Sequence, residues 1–249
     1  MGSFDQLIHA NLSAKAYTNY TQADVSSGAV AFTDSKGMNW EVYAVAEARS
    51  VDTGFYGVAF KNPATNEVVV AYRGTDGFSD VAPDLQIALG VNEPNQYKQA
   101  IDFYKSVYEK SSQDSLLSPT ITGHSLGGAL AQIVGALTDA ETYTYNAPGI
   151  KDVLYNNPAI FGNFSPTATF DNINNFNYFL DPISKVGDQI GSRAYIWGDI
   201  SGSIKNITPF SVFSFRSHTI GNMIDCLASG VFAISPELGN NPIPLVKTI

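Results

Sequence analysis

Ser125, Asp181 and His218 are the residues whose types and settings could carry a reaction in this 249-residue chain. Ser125 lies in Ile121-Thr122-Gly123-His124-Ser125-Leu126-Gly127-Gly128-Ala129, an apolar pair followed by Gly-x-Ser-x-Gly-Gly. Residues 118–122 read as a short buried strand after a Pro-containing turn. Leu126 to Thr138, rich in Leu and Ala, reads as a helix. A serine between a strand and a helix, flanked by glycines, forms a nucleophile elbow. The tight turn lifts the hydroxyl out of the sheet and strains the serine backbone, which only small neighbours tolerate. The helix N-terminus behind it aims free N–H groups at a developing oxyanion. The string lacks the Gly-Lys-Ser/Thr ending of a Walker loop. The competing reading is a glycine-rich turn that packs closely or binds phosphate.

A serine needs a base, and histidine is the side chain whose pKa suits that task near neutral pH. The chain has three histidines. His124 lies inside the elbow, with its side chain expected to point away from the hydroxyl in a structural role. His9 lies on the first helix and reads as surface or satisfied core. His218, in Ser217-His218-Thr219, follows all the expected central strands and enters a helix, so it is the candidate base. The base needs a carboxylate to hold its tautomer. Asp181 sits at the tip of a strand that Pro182 ends; Asp199 is its main rival, and Asp171 and Asp188 trail. The order Ser125, Asp181, His218 is that of the α/β-hydrolases. The expected chemistry is two-step acyl transfer from an ester to water. The loop Arg73-Gly74-Thr75-Asp76-Gly77 is placed to supply an oxyanion donor. Thr75 offers an amide and a hydroxyl there, and Asp84 could fix its side chain.

Such a site needs strands that end together. Helices are expected from Ser3 to about Tyr17, Glu93 to Ser111 and Ile220 to Ser229. Strands are expected over Asn39–Ala48, Phe55–Phe60, Val68–Tyr72, Glu141–Tyr145, Ile173–Leu180 and Arg193–Trp197. The Phe55–Phe60 and Val68–Tyr72 strands read as a hairpin across residues 62–66, and Val68-Val69-Val70-Ala71 reads as an inner strand. On the Glu93–Ser111 helix, Tyr97, Ile101, Tyr104, Val107 and Tyr108 form a stripe assigned to the core. Residues 155–177 read as loops with short helical pieces. The apolar segments Phe78–Val91 and Ile204–Phe215 could be acyl-binding walls or plain packing surface.

No linker or charge run divides the chain, so one domain over 1–249 is expected. Net charge is −9, which argues against nucleic acid and against charge-driven docking on anionic membranes. Cys226 is the only cysteine, so no internal disulfide forms, and it reads as a buried small hydrophobe. No run approaches a transmembrane span. Met1-Gly2-Ser3-Phe4-Asp5 has neither a basic n-region nor an apolar h-region, so no signal peptide is read there. No cofactor is expected, and the signal for calcium at Asp171 and the neighbouring Asn residues is weak.

The elbow string through Leu130-Ala131 resembles that of the fungal-type (class 3) lipases. Ala71-Tyr72-Arg73-Gly74-Thr75 resembles their Phe-Arg-Gly-Ser/Thr segment, Asp84-Leu85 their downstream Asp-Leu pair, and Asn146-Ala147-Pro148-Gly149 the end of their post-elbow strand. Asp181-Pro182 and Ser217-His218 match their strand-tip aspartate and late histidine. The resemblance covers roughly residues 40–222. It implies an α/β-hydrolase fold, a mostly parallel central sheet flanked by helices. It also implies Thr75 and the Leu126 N–H as the oxyanion hole, with Asp84 steadying the oxyanion loop. That family usually has a Trp ahead of the Asp-Leu pair; Val81 stands there in this chain and Pro83 precedes Asp84, which departs from a helical lid. The lack of disulfides is closer to bacterial relatives. The implied activity is triacylglycerol-lipase-like hydrolysis of lipid esters, with transient contact at a lipid interface. Phospholipase A1 and a short-chain or aromatic-ester esterase are the alternatives among enzymes. A silent binding module on the same fold is the alternative outside them. Secretion without an N-terminal signal is implied, with a cytoplasmic location as the alternative.

Overall fold

Val68 to Tyr72 runs apolar without alternation because both faces of that strand are covered, and every one of these residues is buried. The computed structural model describes residues 3–46, 54–75, 94–178, 181–196, 219–228 and 233–234. Among these residues the strands are β1 (Val30–Thr33), β2 (Asn39–Val45), β3 (Gly57–Asn62), β4 (Glu67–Tyr72), β5 (Thr120–His124), β6 (Thr142–Tyr145), β7 (Ile173–Tyr178), β8 (Ser192–Ile196) and β9 (Ala233–Ile234). The helices are α1 (Ser3–Lys15), α2 (Gln22–Ser27), α3 (Pro94–Gln113), α4 (Leu126–Thr138), α5 (Lys151–Asn156), α6 (Pro158–Phe161) and α7 (Ile220–Ala228), with a 3₁₀ turn at Ile183–Lys185.

The strands form one sheet whose spatial order follows the sequence, β1 through β9. β1 to β4 pair antiparallel, β4 to β8 pair parallel, and β9 returns antiparallel along β8. The α/β-hydrolase expectation is met: the parallel strands lie in the centre and helices cover both faces. On one face α3 and α4 pack through Tyr97, Ala100, Val107, Leu130 and Ile133 against Val68, Val70, Tyr72 and Ile121. On the other, α1 packs through Ile8, Leu12 and Ala16 against Val58, Phe60, Val69 and Ala71. The alternation of Val68, Val70 and Tyr72 against Val69 and Ala71 divides the two cores, as the two-residue period of a strand requires.

The hairpin between β3 and β4 turns at residues 63–66, with Asn66 in the left-handed region at φ 62°. Most expected elements appear with ends moved by a few residues. β5 starts at Thr120, not residue 118, and runs on to His124, so the strand delivers Ser125 directly. The α3 stripe needs one correction. Tyr97, Tyr104 and Val107 are buried, but Tyr108 is 46% exposed, since four residues from Tyr104 the helix edge turns its ring to solvent. The helix α2, the edge strand β1 and the two-residue strand β9 were not expected. The Cys226 side chain lies outside the described residues.

Candidate active site

Ser125 occupies the single residue between β5 and α4, with φ 58° and ψ −130°. This conformation costs a non-glycine residue about 1–3 kcal/mol and persists only where the surroundings fix it. The surroundings do so: the Ser125 N–H donates to the Tyr145 carbonyl at 3.0 Å, and the Ser125 carbonyl accepts from the Gly128 and Ala129 N–H groups at 2.9 and 3.2 Å. Two glycines permit the turn. A Cβ on Gly123 would stand 2.2 Å from the Gly127 carbonyl oxygen, and one on Gly127 would stand 2.1 Å from that of Tyr72. The first turn of α4 is thus pressed onto the end of β4. Gly127→Ala is expected to cost about 3 kcal/mol or more, the upper end of overpacking penalties. Gly221→Ala in α7, where an added Cβ meets no heavy atom within 4 Å, is expected to be neutral or to raise the midpoint. Thermal denaturation of the two variants beside the wild type checks the contrast.

The Ser125 hydroxyl is buried and has no hydrogen-bond partner among the described residues. Such a group costs about 1–3 kcal/mol of desolvation, so stability does not explain it. Leu126, the residue after the serine, opens α4, and the first amides of a helix have no acceptor within it. The second oxyanion candidate, Thr75, is partly buried and lies three residues beyond β4. Gly74 brings that loop against the serine: a Cβ on it would stand 2.8 Å from the His124 carbonyl oxygen and 3.2 Å from the Ser125 Cβ. The Arg73 side chain anchors the same loop. It is 4% exposed, its Nε donates to the Ala16 carbonyl at 2.8 Å, and both terminal nitrogens donate to Asn19 Oδ1 at 3.0 Å. Its guanidinium lies 4.3 Å from the centre of the Tyr56 ring.

Asp181 follows β7, two strands across the sheet from β5, on the same C-terminal edge as Ser125. Two strand spacings are about 10 Å, a gap that one imidazole with a hydrogen bond at each end can bridge. Asp181 is fully buried, and its Oδ2 accepts from the Ser184 N–H at 2.6 Å, capping the 3₁₀ turn. The rivals Asp171 and Asp188 are exposed. His218, Asp84, Asp199 and the two apolar segments Phe78–Val91 and Ile204–Phe215 lie outside the described residues.

The other histidines sit where structural residues would. His9 shares a 2.8 Å hydrogen bond with Thr120 Oγ1 and stacks on Tyr143, with ring centres 4.2 Å apart. His124 shares a 2.9 Å bond between its Nδ1 and the Tyr17 hydroxyl.

Sequence reasoning passed over a buried amide network that fixes the Asp181 loop. Gln189 Nε2 donates to the Ala147 carbonyl at 2.6 Å and to Asn177 Oδ1 at 3.0 Å, and Gln132 of α4 donates to the Pro148 carbonyl at 2.9 Å. Asn146 Oδ1 accepts from the Tyr178 N–H at 2.7 Å. The loop after β7 is therefore tied to the loop after β6 and to the helix that carries Ser125. The signal was present: Gln132 interrupts an apolar helix, and Asn175 and Asn177 alternate with aromatics on a strand.

Among the described residues no three His, Cys, Asp or Glu side chains gather to hold a metal ion, and no helix is long and apolar enough to cross a membrane. A hollow of about 170 Å³ lies at the opposite end of the sheet, between Ile8, His9, Glu67, Leu117 and Glu141.

A family model described as a Tle-like phospholipase domain matches residues 8–217. The extracellular phospholipase A1 of Serratia liquefaciens is 32% identical over 111 residues, which span 45% of this chain and 33% of that protein. The match thus covers about a third of the relative's length. A fungal lipase–inhibitor complex solved as a model for interfacial activation superposes with a TM-score of 0.53 at 14% identity, over 88% of this chain and 96% of that one. The Rhizomucor miehei triacylglyceride lipase superposes with a TM-score of 0.50 at 14% identity, over 87% of this chain and 95% of that one. At such identities these two structures share the fold.

Proposed function

The chain belongs to the Tle-like phospholipase family, and on that footing we propose that it hydrolyses an acyl ester of glycerophospholipids, with Ser125 as nucleophile, His218 as base and Asp181 as the carboxylate behind it. The observation that carries the reading is the strained Ser125 backbone with its buried hydroxyl, which has no hydrogen-bond partner among the described residues. Strain and a buried hydroxyl left open by every described residue are features that catalysis accounts for and packing does not.

In this mechanism His218 removes the Ser125 proton as Oγ attacks the ester carbonyl. Negative charge develops on the carbonyl oxygen and is met by Thr75 and the Leu126 N–H, each worth about 3 kcal/mol where such donors have been removed elsewhere. Asp84 steadies Thr75. The C–O bond breaks, and the leaving lysophospholipid oxygen takes the proton from His218. Water then gives a proton to His218, attacks the acyl-enzyme, and releases the fatty acid with the proton restored to Ser125. Asp181, held by the Ser184 N–H, keeps the imidazole in the right tautomer. No cofactor takes part. The extracellular relative supports action outside the cell that makes the protein.

The test is product analysis on phosphatidylcholine vesicles, triolein emulsion and soluble short-chain esters, each with Ser125→Ala as the blank. Lysophosphatidylcholine and fatty acid in equal amounts, at rates above those on triolein, are expected. Faster turnover of triolein would make the substrate a neutral lipid, and turnover of soluble esters alone would make the protein an esterase. A fluorophosphonate probe that fails to label Ser125 would leave only a binding module on this fold.

A further inference from the structure

The turn that leaves α1, residues 16–20, passes beneath the site. Arg73 grips it through Ala16 and Asn19, as described above. Tyr56 grips it again: its hydroxyl accepts from the Tyr20 N–H at 2.9 Å and donates to the Tyr20 carbonyl at 3.2 Å. Between these clamps stands Tyr17. Its hydroxyl shares the 2.9 Å bond with His124 Nδ1, and a Cβ placed on Gly74 would lie 2.4 Å from the same oxygen. One oxygen atom therefore reaches both halves of the proposed oxyanion hole. His124 precedes Ser125 and Leu126 on one side, and Gly74 precedes Thr75 on the other.

We infer that Tyr17 is a positioning residue of the oxyanion hole, setting the separation between the Thr75 donor and Ser125 by bonding His124 while bearing on Gly74. The inference rests on the assignment of Thr75 and Leu126 as oxyanion donors. A tyrosine suits the task. Its ring is rigid, it has only two side-chain torsions, and ordering it costs little entropy. The clamps on either side fix its backbone. The contact on the other side is with glycine, so no side chain stands between the hydroxyl and the loop backbone. Donors aimed at a developing charge act through fixed geometry, and a 1 Å error in such a site costs about a hundredfold in rate. Tyr17 acts through the two segments it separates.

Tyr17→Phe keeps the ring and removes the oxygen. It is expected to lower kcat about tenfold, part of the roughly hundredfold cost of a full 1 Å displacement, with KM and melting temperature unchanged. Binding of an alkylboronic acid, which adds to Ser125 Oγ and leaves a negative tetrahedral centre in the hole, should weaken by the same factor. His124→Leu should lose as much, and His124→Asn, whose amide can stand where Nδ1 stands, should recover most of it. Adding Tyr17→Phe to His124→Leu should cost nothing more, because the two groups act through one bond. An unchanged kcat in Tyr17→Phe overturns the inference. So does a loss that appears in melting temperature and KM while boronate affinity stays intact. Hydrolysis retained by Ser125→Ala would take down the site assignment itself, and this inference with it. Labelling of Ser125 together with a silent Tyr17→Phe would remove the inference alone.

Discussion

Ser125→Ala is expected to lower kcat by about a millionfold, the loss seen when a triad nucleophile is removed elsewhere, and to leave the fold no less stable. The second half of this result is as informative as the first. The Ser125 hydroxyl is buried without a partner among the described residues. Removing it strands no donor or acceptor there and lifts a desolvation cost of about 1–3 kcal/mol. Ser125→Gly should be more stable still, since glycine adopts φ 58° freely. A nucleophile that destabilises its own protein is the trade expected when a site is shaped for chemistry. Hydrolysis rates and thermal midpoints on the same three proteins check it. A serine variant with near-normal turnover, or with a sharply lowered midpoint, would contradict the reading.

Asp181→Asn carries the second large effect, a loss of about 10⁴-fold in kcat, the cost of presenting the wrong histidine tautomer to a serine. The structure makes asparagine the right probe. The carboxylate also accepts the Ser184 N–H at 2.6 Å, and an amide oxygen can keep that bond. The 3₁₀ turn should therefore survive and the loss should appear in rate, with the melting temperature close to the wild type. Asp181→Ala removes the acceptor and should cost stability as well. Asp199→Asn, measured beside them, is expected to stay within a few-fold of the wild type. The opposite ranking of Asp181 and Asp199 in kcat/KM would move the acid to the later residue.

The parts of the site that were legible in the sequence share one property: their signal is local. Gly-x-Ser-x-Gly between an apolar strand and an apolar helix specifies the Ser125 turn within nine residues. Asp181-Pro182 marks a strand tip by itself. The Tyr17 and Arg73 contacts have no local signal, because each partner arrives 54 to 107 residues away. Nothing near Tyr17 distinguishes it from the other tyrosines. The short helix α2 had a signal that went unread, since Thr21 and Asp24 stand three apart. The Thr21 N–H and hydroxyl both donate to the Asp24 carboxylate at 2.7 Å, which holds that carboxyl below its usual pKa. Tyr108 marks the limit of periodicity. Four-residue spacing puts it beside Tyr104, but the width of the covered face depends on what α3 packs against, and the helix alone does not state that.

The first helix of the chain has partners that are made long after it. His9 meets Thr120 across 111 residues, and the Tyr145 hydroxyl reaches the Gln6 carbonyl across 139. The antiparallel strands β1 to β4, by contrast, pair with their immediate neighbours in sequence. Closing a loop grows more expensive with its length, by about 0.6 kcal/mol for each doubling. During synthesis the early hairpins can form as soon as they emerge, and α1 can dock through Ile8, Leu12 and Ala16 on Val58, Phe60, Val69 and Ala71 of β3 and β4 before β5 and β6 complete its contacts. The turn that bears Tyr17 can be gripped by Arg73 and Tyr56 at that stage, and its bond to His124 waits for β5. The serine turn itself is completed only when β6 arrives, since the Ser125 N–H bonds the Tyr145 carbonyl. On the proposed assignment Asp181 and His218 come later still, so a partly made copy of this protein is held idle by the order in which its own pieces become available.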